Sequence, residues 1–166
     1  AAVCGPPAVA MPGAPGAAGR GMLDAVAVAE ALGYAACPGP FLSTAIMGAH
    51  LLNRAGATDP LAGMARGDYR VGIAFSDFLG ARKGRVTEVN GQLSGQSLYA
   101  LDTDADAYLV ALTDGRVYMV ETEHLARKPL TTIDITRSVC ELNFNQTPAC
   151  LVTDDAVLVR DTGYRC

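Results

Sequence analysis

RVTEVNGQLSGQSLYAL (Arg85–Leu101) and AYLVALTDGRVYMVE (Ala107–Glu121), both inside Gly84–Glu121, decide the fold. Each is an alternating run interrupted by one step, Asn90-Gly91 in the first and Asp114-Gly115 in the second. Such a step predicts a β-hairpin, because a type I′ turn needs φ > 0 at both central residues and these residue types tolerate it. The first hairpin pairs Arg85–Val89 with Gln92–Leu101. The second pairs Ala107–Thr113 with Arg116–Glu121. The second half of the chain is therefore expected to be an antiparallel sheet or small barrel.

Strand signals continue on both sides of the hairpins. Arg70–Ser76 reads as a strand and Asp77–Lys83 as a loop. Leu130–Ile133 reads as a short strand. In Val139–Asn145, Cys140, Leu142 and Phe144 alternate with Glu141, Asn143 and Asn145. Ala156–Arg160 reads as a last strand.

Upstream the period is helical. Met22, Leu23, Val26, Ala29 and Leu32 recur at helical spacing, and Gly33 is placed to end the helix. Pro38-Gly39-Pro40 breaks the chain. Phe41–Ala55 predicts a second helix with a broad apolar face. Thr58-Asp59-Pro60 starts a third, ending near Arg66. Residues 1–21 hold Pro6, Pro7, Pro12 and Pro15 and read as a Gly/Ala/Pro-rich lead-in without regular structure. The expected class is α+β: a short helical segment over 22–67, then an antiparallel β-barrel or sandwich of six to eight strands over 68–166.

Half the residues are apolar, enough for a core, although Trp is absent and only 6% are aromatic. A net charge of -4 and a pI near 5.0 argue against a nucleic-acid partner, which needs clustered Lys and Arg. No apolar run reaches the roughly 18–20 residues of a membrane span, and no signal peptide is evident. Cys4, Cys37, Cys140, Cys150 and Cys166 show no metal-ligand spacing, so free thiols in a reducing cytoplasm are expected. His50 and His124 carry no motif. Asp102, Asp104 and Asp106 lack the central Gly and the closing Glu of a calcium loop and read as a solvated connection. Asp134 and Arg137 read as a turn with its own ion pair. The helices carry few charges, which calls for cover on more than one face. Residue chemistry alone yields no catalytic constellation and points to a binding module.

Several stretches, in this order, resemble the flavin-dependent acyl-CoA dehydrogenases. Leu23–Gly33 followed by Pro38-Gly39-Pro40-Phe41-Leu42 is similar to the late N-terminal helical domain of that family. Leu61–Gly67 resembles its "LxxLAxGE" helix end. Leu93-Ser94-Gly95-Gln96-Ser97 stands where the family has an "LNGxK" hairpin, and Ala105–Val110 where it has "AdxxlV". Leu130–Phe144 resembles "tlDxtRxxaxvxF".

The resemblance implies FAD as cofactor, an acyl-CoA thioester as substrate and α,β-dehydrogenation as reaction. It also implies an electron-transfer flavoprotein as acceptor, and an oligomer with itself or with an unlike acyl-CoA dehydrogenase subunit. The cofactor would carry the redox step, the protein its positioning. The cofactor-binding residues it implies are Phe75, Ser76 and Asp77, matching a "LTEPxxGSD"-type loop, and Tyr99, Ala100 and Leu101, matching a "W-[IV]-[TS]" run. Ser76 stands for the Thr hydroxyl and Asp77 for the Glu, while Leu79–Lys83 replaces the Pro and the Gly-Ser. Leu101 carries no hydroxyl where the family has one. The family's base is a glutamate in a C-terminal bundle, which this sequence does not contain, so no catalytic residue is assigned. Three accounts fit: a piece of a longer enzyme, a non-catalytic subunit beside a complete one, or a remnant that binds without chemistry.

Overall fold

The structure, a computed structural model, describes residues 22–80 and 85–165. The lead-in expected over 1–21, the Ala81–Lys83 part of the expected loop and Gly84 at the head of the expected hairpin stretch lie outside them. Helices come first: α1 (Met22–Tyr34), a π-helix (Phe41–Gly48), α2 (Ala49–Arg54) and α3 (Leu61–Arg66). Then come β1 (Val71–Ala74), β2 (Val86–Val89), β3 (Gln92–Leu101), β4 (Ala107–Ala111), β5 (Val117–Glu121), β6 (Ala126–Leu130), β7 (Val139–Pro148) and β8 (Cys150–Thr153), with α4 (Ala156–Arg165) last. The α+β class is as expected.

The strands run in the order β6-β7-β3-β1-β4-β5-β8, with β2 paired to the start of β3. The path ends at β6 and β8, which are not joined, so the sheet is not closed into a barrel. β1 pairs antiparallel with β3 but parallel with β4, Val71 opposite Ala107 through Ala74 opposite Val110. The sheet is thus antiparallel except at its centre.

Its two faces carry two cores. Val71, Ile73, Phe75, Leu109, Ala111 and Val117 pack against Met47, Leu51, Leu52, Leu61, Met64 and Val159 from the helices. Leu51, Leu52, Leu61 and Met64 are fully buried, each worth about 1.5–3 kcal/mol. On the other face Tyr108, Val110, Tyr118 and Val120 share a core with Leu93, Ala100, Cys140, Leu142 and Phe144, so β3 and β7 fold back over β4 and β5.

The Asn90-Gly91 turn has both residues at positive φ, 53° and 76°, as type I′ requires. The Asp114-Gly115 turn differs. Only Gly115 has positive φ, the Gly115 amide donates to the Leu112 carbonyl and the Leu112 amide to the Arg116 carbonyl. That is a three-residue loop ending in a left-handed glycine. Gly115 also lies against Ala156, where a Cβ would come within 2.4 Å of the Ala156 methyl.

Other expectations are corrected. α1 runs through Gly33 to Tyr34, and the left-handed residue is Ala36, just ahead of Pro38. The first half of the second helix is π. There Thr44 Oγ1 both donates to the Val71 carbonyl and accepts from the Val71 amide, each at 3.0 Å, fastening the helix to β1. The strand expected over Leu130–Ile133 lies earlier, at Ala126–Leu130. Ile133 and Ile135 are fully exposed in a turn held by Asp134, whose Oδ1 accepts from the Thr136 amide and hydroxyl. Ala156–Arg160 is helical, because Asp155 Oδ1 caps the Val157 and Leu158 amides. Cys140 and Cys150 are free thiols as expected, whereas Cys37 is disulfide-bonded.

Candidate functional site

The last residues of β1 and the last of β3 run side by side, with Ile73 opposite Leu101. This brings the two sets of resemblance-derived residues together, although they expose different amounts of themselves. Phe75 is buried on the helical face, where α4 covers it: a methyl on Gly163 would touch its ring at 3.8 Å. Ser76 is buried, and its hydroxyl shares a 2.8 Å hydrogen bond with Ser97 of β3.

Asp77 is 5% exposed. Its Oδ2 accepts from the Val86 amide at 2.6 Å. Its Oδ1 is buried with no hydrogen-bond partner among the described residues. Burial pushes this carboxyl above the ordinary carboxylate range, against the pull of the Val86 amide, the Ser76 hydroxyl and the Arg85 charge. A buried carboxylate oxygen without a donor costs on the order of 1–3 kcal/mol, so a donor brought to it would be a gain.

A bulge sets the geometry of the second set. Along β3, Ser97 faces Leu142 of β7 and Ala100 faces Cys140, so three steps on β3 match two on β7. Ser97 and Ala100 both turn inward and are buried, while Tyr99 is 61% exposed. Bulges re-aim side chains in this way. Ala100 packs in the core between the folded-over strands, and Leu101 packs at the edge of the helical core. Tyr99 is the one residue of the six that presents a large open surface.

Ser97 and the Val86 amide complete the arrangement and were not among the expected site residues. Ser97 closes the Leu93–Ser97 stretch, and nothing local marks a serine there as facing Ser76. When Asp77 is ionised, its orphan oxygen can accept from an N–H or O–H group. FAD carries both kinds of donor, on its ring and on its ribityl chain, and the open Tyr99 ring offers a flat surface for its ring system. The donor-acceptor chemistry of these residues therefore fits the group. Asp102, Asp104 and Asp106 do not build a metal site: among the described residues no group of three His, Cys, Asp or Glu side chains could hold an ion. Nor, among them, is any helix long and apolar enough to cross a membrane.

No protein-family model matches this sequence, and no curated protein does. Solved structures do. The ChsE4-ChsE5 complex from Mycobacterium tuberculosis matches with a TM-score of 0.75 at 24% identity, covering 94% of this chain and 47% of that one. A structure of the Tcur3481-Tcur3483 steroid ACAD matches at 0.65 with 17% identity, over 82% of this chain and 41% of that one. An acyl-CoA dehydrogenase from Bacillus anthracis, complexed with FAD, matches at 0.64 with 18% identity, over 89% and 30%. The chain spans about half the length of the structure it matches at 0.75, and less of the other two. Its helices and folded-over sheet have the fold of the acyl-CoA dehydrogenases.

Proposed function

We propose that this chain supplies the helical and β portions of a flavoprotein that dehydrogenates an acyl-CoA thioester, with residues 22–67 and 68–166 as its two structural parts. The observation that carries this reading is the match over 94% of the chain to a subunit of the ChsE4-ChsE5 complex. FAD, when bound, supplies hydride acceptance and onward electron transfer, with an electron-transfer flavoprotein as acceptor in the cytoplasm. In this chain Tyr99 would face the cofactor ring and Asp77 Oδ1 would accept from one of its N–H or O–H groups. Ser76, Ala100 and Leu101 would shape the wall behind them, with Phe75 as its backing. The base that removes the α-proton would come from outside the described residues.

A second reading has its own support. Two of the matched structures are complexes of two named chains. Phe75, Ser76 and Asp77 are also buried by this chain's own residues. A non-catalytic subunit paired with an unlike, complete one would have both features.

Flavin titration separates the two. On the first reading, added FAD loses fluorescence on binding and stays with the protein through desalting, and Tyr99→Ala weakens it at least tenfold. Protein that stays colourless and leaves FAD fluorescence unchanged, alone and beside a complete acyl-CoA dehydrogenase-type subunit, sinks the flavin reading. Co-purification with that subunit would then support the second.

A further inference from the structure

The turn ahead of β7 is both rigid and open to solvent. Asp134 Oδ1 accepts from the Thr136 amide at 2.9 Å and from the Thr136 hydroxyl at 2.6 Å. The Thr132 hydroxyl and the Arg137 amide both donate to the Asp134 carbonyl, at 2.8 and 3.3 Å. The side chains on either side of Asp134, Ile133 and Ile135, are fully exposed. Single apolar side chains scattered over a surface are ordinary. Two stiff, β-branched ones flanking a carboxylate on one fixed turn are a preorganised knob, which loses little freedom on docking.

Beside the knob lies a cavity of about 350 Å3 between α1, the π-helix and the turn. Its walls include Ala25, Ala29 and Leu32 of α1 and Leu42 and Ile46 of the π-helix, with Thr136 and Arg137 on the side of the turn. Of its lining residues only Arg137 is charged. Among the described residues the Arg137 guanidinium holds one ion pair, to Asp134 Oδ2 at 3.7 Å, too long for a hydrogen bond, and more than half of the side chain is exposed. The knob is thus apolar with one anion, and the cavity next to it is apolar with one cation.

We propose that two copies of this chain associate through this face, the Ile133-Asp134-Ile135 knob of each entering the cavity between α1 and the π-helix of the other. Size, charge and placement each select a second copy as the occupant. At about the 30 Å3 that a water fills in the liquid, the side-chain carbons of two isoleucines take up about 240 Å3, which the cavity holds. Asp134 arrives between them at a charge of opposite sign, Arg137 of the other copy. The loose pair within each chain is then exchanged for a pair across the contact. Knob and cavity are neighbours on one chain, joined at Thr136 and Arg137, so a single two-fold rotation seats both halves at once. Nothing in the contact calls on FAD, so it stands or falls apart from the flavin reading.

The test is sedimentation equilibrium on the full chain over about 5–300 μM, the range of a small interface. The expected result is a reversible shift from 17.2 kDa towards twice that mass. The double variant Ile133→Asp with Ile135→Asp removes the knob at positions that support no core, and Ala29→Trp fills the cavity from an exposed helix position. Each should weaken association about tenfold or more. Mixed together, they restore one intact knob facing one intact cavity, so the mixture should associate more strongly than either variant alone. A chain that stays monomeric across the range overturns the proposal. So does a dimer that the double variant leaves unchanged, as one joined through β8 would be, and so does a mixture no stronger than its components.

Discussion

Ser76 and Ser97 share a hydrogen bond of 2.8 Å across the parting ends of β1 and β3, with both side chains buried. Each hydroxyl is the other's partner, and Ser76 also pulls on the Asp77 carboxyl. Removing one strands the other in an apolar setting, whereas removing both leaves only small voids. Ser76→Ala and Ser97→Ala are each expected to cost about 1–2 kcal/mol in urea unfolding. The double variant should cost less than their sum by roughly 0.5–1 kcal/mol. Strict additivity would show that the two hydroxyls do not share a proton in solution.

Gly95 and Gly72 have no tolerable substitute. At Gly95, φ is 117° and a Cβ would lie 1.9 Å from the Arg85 carbonyl oxygen. At Gly72 it would lie 2.4 Å from the Tyr108 ring. Alanine at either position should destabilise by about 2–4 kcal/mol, read as a lower midpoint in thermal or urea melts. Gly33 is the control. It sits inside α1, and a Cβ added there would meet nothing within 4 Å. Gly33→Ala should be neutral or stabilising by up to about 1 kcal/mol.

Asp102 gives stability a slope against pH. Its carboxyl rises from 3.8 to about 6 on folding, chiefly through burial. Between those values the folded chain binds more protons than the unfolded one, so stability falls as pH rises through the window and is level above it. At about 1.4 kcal/mol per pH unit the cost near pH 7 reaches ~3 kcal/mol, which solvent screening trims to about 1–2. Asp102→Asn should therefore raise stability at pH 7 by about that amount and flatten the profile.

Arg116 ties the two hairpins together. Its guanidinium reaches Glu88 of β2 at 2.7 Å, Asp114 at 2.8 Å and the Tyr118 hydroxyl at 2.9 Å. Both carboxyls sit below their usual range. Glu88 is held there by the Gly91 amide and Arg116, and Asp114, against its own partial burial, by the Arg116 amide and side chain. Arg116→Ala should lower stability by about 1 kcal/mol at pH 7, with the difference shrinking as pH falls through the lowered carboxyl values. An unchanged melt at both pH 7 and pH 3 would reduce the network to a surface decoration.

The parts of the fold legible in the sequence are those fixed by neighbours in the chain. Asn90-Gly91 and the alternation of Cys140, Leu142 and Phe144 are local signals, and both structures form as those signals predict. The π-helix is not legible, because it is bound up with Thr44 reaching Val71 and Ser43 reaching Asp102, partners 27 and 59 residues away. The parallel pairing of β1 with β4 is equally non-local. α4 stands where a strand is expected, although its signal is present: Asp155 caps it, and Leu158, Val159 and Thr162 bury one side. For the candidate site, the resemblance points to Phe75 to Asp77 and Tyr99 to Leu101. The Ser97 hydroxyl, the bulge that swings Tyr99 outward and the orphan Asp77 oxygen are products of strand pairing that no local spacing encodes.

The unjoined ends of the sheet are not equivalent. β6 carries Arg127, Lys128 and Pro129, all exposed, so its outer edge repels a like strand and lacks one amide to pair with it. β8 carries Cys150 and Leu151, exposed and uncharged, on a strand with no proline. Lengthening of the sheet by another chain is thus one-sided. Copies that met through β8 would each be left with a β6 margin that accepts nothing more, so such an association would end at a pair and not run on into a fibre.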